Sequence, residues 1–103
     1  EGMGLTMPLL ADNGHLVPLS LKVDSPMTEE SHVTHVYILS QLNPAPLIAM
    51  IVLGPWNGRA EISMRVRLSG TQMVVALARM SDGNFRYATS QVSVTEAACV
   101  DNG

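Results

Sequence analysis

Apolar positions along the chain fall into short runs separated by clusters of Gly, Pro, Asn, Asp and Ser. The clearest run, Ala60 to Leu68, puts Ala60, Ile62, Met64, Val66 and Leu68 on one face and Glu61, Ser63, Arg65 and Arg67 on the other. That period of two predicts a half-buried strand. Val33 to Ser40 alternates too, but both of its faces are largely apolar, which predicts a central strand. Leu5 to Leu10, His15 to Val23, Leu47 to Leu53, Gln72 to Met80 and Phe85 to Thr95 complete a set of seven.

The separators carry turn chemistry. Asp12-Asn13-Gly14 and Ser81-Asp82-Gly83-Asn84 tolerate positive φ, and the Asp-Gly pair between two strand-like runs predicts a hairpin. Asp24 to Glu30 reads as a polar loop, since Pro26 forces Ser25 out of the helical region. Asn43-Pro44-Ala45-Pro46 and Gly54-Pro55-Trp56-Asn57-Gly58 read as corners. Pro18 lacks a ladder donor, so the strand holding it is expected at an edge or a bulge. No window of helical length keeps apolar spacing of three and four without Gly or Pro. The expected fold is an all-β, Ig-like antiparallel sandwich of about seven strands, with residues 1–96 as the domain and 97–103 as a tail.

Composition narrows the function classes. The 103 residues suit one core, and 47% are hydrophobic. Only 15% are charged, the formal net charge is -3, and the six Lys and Arg are scattered, so no patch tracks a phosphate backbone and nucleic acid is not an expected partner. The run Leu47 to Leu53 is too short to cross a bilayer as a helix, so no membrane partner is expected either. No basic stretch followed by a long apolar run opens the sequence, so a secretory signal, if the protein has one, lies outside it.

Candidate chemistry is sparse. His32 and His35, three apart on a strand, face opposite ways, and His15 is remote, so no metal is expected; nor is any cofactor. No Gly-x-Ser-x-Gly elbow and no phosphate-cradling glycine loop is present, and the chain is not expected to be an enzyme. Met50, Met64, Met73 and Met80 lie on strands, where flexible thioethers fill gaps between sheets. Trp56 is either a lid over the end of the sandwich or an anchor at a protein interface. Cys99, the single cysteine, lies four residues beyond Thr95. Terminal segments are usually mobile, which would leave a solvated thiol able to enter another protein's active site; the alternative is a small apolar residue finishing a buried strand.

Several strings together resemble the SoxY family of sulfur-oxidation carriers. They are Val23-Asp24-Ser25-Pro26-Met27-Thr28-Glu29-Glu30-Ser31-His32-Val33, Ala11-Asp12-Asn13-Gly14 with Val17-Pro18, Arg67-Leu68 with Thr71-Gln72, and Met80-Ser81-Asp82-Gly83 leading to Val92-Ser93-Val94-Thr95. The resemblance implies a periplasmic carrier in a thiosulfate-oxidising multienzyme system, paired with a SoxZ-like subunit in a heterodimer. It implies covalent sulfur carriage (thiosulfate or sulfide) on a cysteine of a glycine-rich C-terminal arm, with a c-type haem enzyme conjugating thiosulfate and a manganese hydrolase releasing sulfate. By position that residue is Cys99. Here the arm reads Ala97-Ala98-Cys99-Val100-Asp101-Asn102-Gly103, without glycine beside the thiol. Asp101 would raise the thiol pKa by like-charge repulsion. A second expectation is therefore a non-catalytic interaction module that keeps the SoxY fold and has lost sulfur carriage. A homo-oligomer, or a disulfide joining two chains through Cys99, is a further expectation for a lone thiol.

Overall fold

A computed structural model describes residues 2–95, so Cys99 and the expected tail 97–103 lie outside the described residues. Eight strands form two sheets: β1 (Met3–Thr6), β2 (Leu10–Ala11), β3 (Val17–Val23), β4 (Val33–Ser40), β5 (Leu47–Val52), β6 (Ala60–Val66), β7 (Gln72–Met80) and β8 (Phe85–Val94). The order is β1-β3-β6 in the smaller sheet and β2-β8-β7-β4-β5 in the larger. The expected sandwich is the observed architecture, and the ranges expected for β4 and β7 coincide with the observed ones.

Three details differ from expectation. The first run divides into β1 and β2, which join opposite sheets. Pro8, which donates no hydrogen bond and restricts Met7, falls between them where the chain crosses. β2 then pairs with β8 in parallel, the single departure from antiparallel pairing among the described strands. Pro18 lies on β3, the middle strand of its sheet, so the expected edge strand is corrected in part. Pairing with β1 stops at Ser20, and Pro18 has a neighbour only on the β6 side, Arg65, so the proline occupies a local edge.

The core follows from alternation. Val17, Leu19, Leu21 and Val23 of β3, with Ala60 and Val66 of β6, face Val33, Val36 and Ile38 of β4, Val74, Ala76 and Ala78 of β7, and Val92 of β8. The expected methionine core holds for Met80, which is buried, and for half-buried Met64; Met50 and Met73 are exposed on the larger sheet. The Asp-Gly hairpin forms as expected: Gly83 has φ +90, the Met80 N–H donates to the Asn84 carbonyl at 2.8 Å, and the Asn84 N–H donates to Asp82 Oδ1 at 2.9 Å.

Both polar corners near the end of β8 are tied down. Gln72, only 2% exposed, accepts from the Leu42 N–H through Oε1 at 3.0 Å. Its Nε2 donates to Asn43 Oδ1 at 3.0 Å and to the Gly70 carbonyl at 3.1 Å. Asn43 in turn accepts from the Ser69 N–H at 2.9 Å and donates to the Arg67 carbonyl at 2.8 Å.

Candidate functional site

Three features of the described residues bear on function: the point where the C-terminal segment leaves the sandwich, the outer face of the larger sheet, and a cleft at the opposite end. The departure point is held on two sides. The Val94 N–H donates to Thr71 Oγ1 at 2.9 Å, while the Thr95 N–H donates to the Ala11 carbonyl at 3.1 Å and Thr95 Oγ1 to the Asp12 carbonyl at 3.2 Å. β2 thus makes a short rail beside the end of β8, reinforced by a 2.9 Å bond from the Ser93 N–H to the Leu9 carbonyl. Covalent geometry bounds the reach of Cys99, four residues on, to at most about 14 Å from Thr95.

The larger sheet turns an apolar face outward. Register places Tyr87, Leu77, Tyr37 and Met50 in one row across β8, β7, β4 and β5, and Thr89, Val75, Leu39 and Leu47 in another. A third row holds Phe85, Arg79, His35 and Val52. Arg79 is the one formal charge in these three rows. Tyr87, Phe85, Val52, Met50 and Leu47 are at least half exposed. Exposed apolar arrays on one sheet face are the kind of surface that protein contacts use. The His35 and Tyr37 rings lie nearly parallel, 7° apart with centroids at 6.0 Å, so this part of the face is flat.

An open cleft of about 400 Å³ lies between the segment before β4 and the β7–β8 hairpin, lined by Glu30, Ser31, Asp82, Asn84, Phe85 and Arg86 among others. Arg86 is committed elsewhere, donating to the Asp24 carbonyl at 2.7 Å. The cleft opens at the start of β8 and the tail departs from its end, a separation of about 30 Å along ten residues of strand. That exceeds the reach of Cys99 from Thr95, so the cleft is not a place where this chain could receive its own thiol.

The histidines are dispersed. His32 Nδ1 lies 2.8 Å from the Thr28 carbonyl, His35 Nδ1 lies 3.0 Å from Thr34 Oγ1, and His15 sits in the turn after Asn13. Among the described residues no group of three or more His, Cys, Asp or Glu side chains could hold a metal ion. Trp56, in a 3₁₀ turn at Pro55–Asn57, is 77% exposed, and its ring folds back on Gly54, where an added Cβ would come within 2.2 Å of it. The ring therefore covers its own corner. Among the described residues no helix is long and apolar enough to cross a membrane. The outer face has no separate signal in the sequence, because the apolar residues on both sides of Val33 to Ser40 equally fit a strand covered on both faces.

Comparison with known proteins gives two results. Residues 1–99 match the family model described as "Sulfur oxidation protein SoxY". No curated protein sequence matches significantly. Among solved structures, superoxide reductase (neelaredoxin) from Ignicoccus hospitalis is similar with a TM-score of 0.77 and 10% identity, over 91% of this chain and 80% of that one. A variant of the Archaeoglobus fulgidus superoxide reductase in the reduced form is similar with a TM-score of 0.68 and 9% identity, over 88% of this chain and 86% of that one. At such identities the likeness concerns the fold alone.

Proposed function

Because the chain belongs to the SoxY family of sulfur oxidation proteins, we propose that it is a carrier subunit that holds sulfur intermediates on the Sγ of Cys99 within a periplasmic sulfur-oxidising system. The observation that carries this reading is the family match, which extends to residue 99, the position of the single cysteine. The anchored departure point of β8 supports it, because a carrier must present its cargo from a fixed root to an enzyme outside itself. In the loading step, the Cys99 thiolate and thiosulfate form an S–S bond and release two electrons, which the partner c-type haem enzyme takes up one at a time. In the unloading step, water adds to the terminal sulfonate sulfur, sulfate leaves with two protons released, and a persulfide stays on Cys99. No group of this chain needs to act as acid or base in either step.

The outer face of β8, β7, β4 and β5 supports a SoxZ-like subunit as partner. A second sandwich could pack on it sheet to sheet at the ordinary spacing of about 10 Å. The test is intact-mass measurement after incubation with thiosulfate and the conjugating haem enzyme, before and after a reductant. The expected result is a reducible adduct on the wild type that is absent from Cys99→Ala. An unmodified wild type, where a reference carrier becomes loaded, would overturn sulfur carriage. The interaction module with its partner face would then stand, a second reading favoured by the loss of glycine around Cys99.

A further inference from the structure

The larger sheet ends at β5, whose far side has no neighbouring strand among the described residues. Leu53 N–H donates to the Thr34 carbonyl at 2.9 Å, in register with the β4–β5 pairs. Hydrogen-bonded and non-hydrogen-bonded pairs alternate in an antiparallel ladder. Ile51 and Ala49 therefore bond toward β4, while the peptide groups of Met50 and Val52 point outward, free to pair.

The edges at β1, β2 and β6 are blunted, and β8, which β2 covers only at Ser93 and Val94, carries Arg86 along the rest of its open edge. β2 has two residues and β1 four, and β6 carries Glu61 and Arg65, with Glu61 lying 4.0 Å from Lys22. Charges and short strands are the usual protection against edge pairing. β5 has neither: its sequence is Leu47-Ile48-Ala49-Met50-Ile51-Val52, and no charged residue occurs from Leu42 to Gly58. The register shift between β4 and β5 falls at Ile48, leaving Ala49 to Val52 regular.

We propose that β5 is a self-pairing edge, joining two copies of this chain about a two-fold axis at Met50. Two-fold pairing sets the residue on the axis against its own copy and every other residue i against j with j against i, so a charge at the centre would be repelled, and this edge has none. Centring on Met50 places its outward N–H and carbonyl opposite those of the other Met50, and Ala49 opposite Ile51, within the regular part of the strand. Pro46 and Pro55 flank the ladder, and a two-fold contact uses the same edge on both copies, which closes the assembly at a pair. An edge contact confined to the six residues of β5 is small beside an ordinary specific interface, so the dimer is weak. The outer face stays open, and the inference does not depend on sulfur carriage.

Sedimentation of the full chain bearing Cys99→Ser, in reductant and over a concentration series, tests the pair. The expected result is a concentration-dependent dimer that Met50→Lys weakens at least tenfold and Tyr87→Lys, on the same face but remote from the edge, leaves intact. A second test tolerates a folding defect in Met50→Lys. In the Cys99→Ser background, Met50→Cys should cross-link on oxidation, since facing Cα atoms in a hydrogen-bonded pair lie about 5.5 Å apart, within disulfide range. Tyr87→Cys should not. A monomer up to about 1 mM, loss of the dimer with Tyr87→Lys alone, or cross-linking by Tyr87→Cys but not Met50→Cys overturns the proposal.

Discussion

Replacing Gln72 by Met tests whether one buried amide holds the end of the sandwich from which the C-terminal segment departs. Methionine matches the length and volume of glutamine, so no cavity confuses the result. Three hydrogen bonds are lost, to Leu42, Asn43 and Gly70. Asn43 Oδ1 keeps the Ser69 N–H, so two groups are orphaned, the Leu42 N–H and the Gly70 carbonyl. A partly buried orphan costs about 1–2 kcal/mol, and burying a thioether in place of an amide returns about 1 kcal/mol, which leaves a net loss of about 2 kcal/mol. For a domain of this size that lowers the melting temperature by roughly 10 °C. Urea unfolding of Gln72→Met, Asn43→Ala and the double variant should show a coupling of about 1 kcal/mol or more, because both side chains serve one network. A loss under about 0.5 kcal/mol for Gln72→Met, or additive single effects, would refute the idea that this network secures the two corners.

Other outcomes can be measured on the same protein. Met27 is 4% exposed at φ +56, so Met27→Ala loses buried side chain and keeps the strain, while Met27→Gly loses slightly more side chain and relieves it. Both should be destabilised by about 2–4 kcal/mol in urea, with the glycine variant no worse than the alanine one, against the usual order. Leu77→Glu, central in the outward row, should abolish binding of a SoxZ-like subunit in titration calorimetry while leaving the melting temperature within a few degrees; retained binding would move the partner off this face. Gly54→Ala must displace the Trp56 ring, so indole fluorescence should change while stability falls by less than about 1 kcal/mol, since the ring is exposed and can swing away. On the carrier reading, Ala98→Gly with Val100→Gly should raise the rate of thiosulfate loading several-fold without altering the melting temperature, because glycine beside the thiol narrows and loosens the arm.

The strands were legible wherever one face met water and the other the core, as in Ala60 to Leu68, or where a hairpin turn fixed the register, as at Asp82-Gly83. The division of the first run was not, because a period of two says which residues share a face and nothing about which sheet a strand joins. Leu5 and Leu10 look alike in sequence, yet Leu5 pairs with Leu21 and Leu10 with Ser93. Pro18 misled for a related reason: pairing is local, and a strand central over half its length can be an edge over the rest. The outer face was hidden because Tyr37 and Leu39 lie on a strand that is apolar on both sides; an apolar side chain has the same pattern whether a sheet of its own chain covers it or a different molecule does. Cys99 was visible as a lone thiol, but its role rests on resemblance, since neither periodicity nor spacing assigns chemistry to one sulfur.

Superoxide reductases share this sandwich at about one identical residue in ten, so what is common to them and this chain is backbone geometry and alternation, which specify no reaction. Among the described residues this chain keeps its three histidines apart and its cleft far from the end of β8. A fold can serve chemistry by fixing one point in space. Thr71, Ala11 and Asp12 do this for Val94 and Thr95, on both sides of the strand end. On the carrier reading the sphere of about 14 Å around that root is the working volume, and an enzyme that loads Cys99 must bring its active site inside it. Partner surfaces therefore have to leave the end of β8 clear. A sheet-to-sheet contact over Tyr37 and Leu77, and an edge contact at Met50, both satisfy that condition, because neither uses the β2 rail or the Thr71 corner.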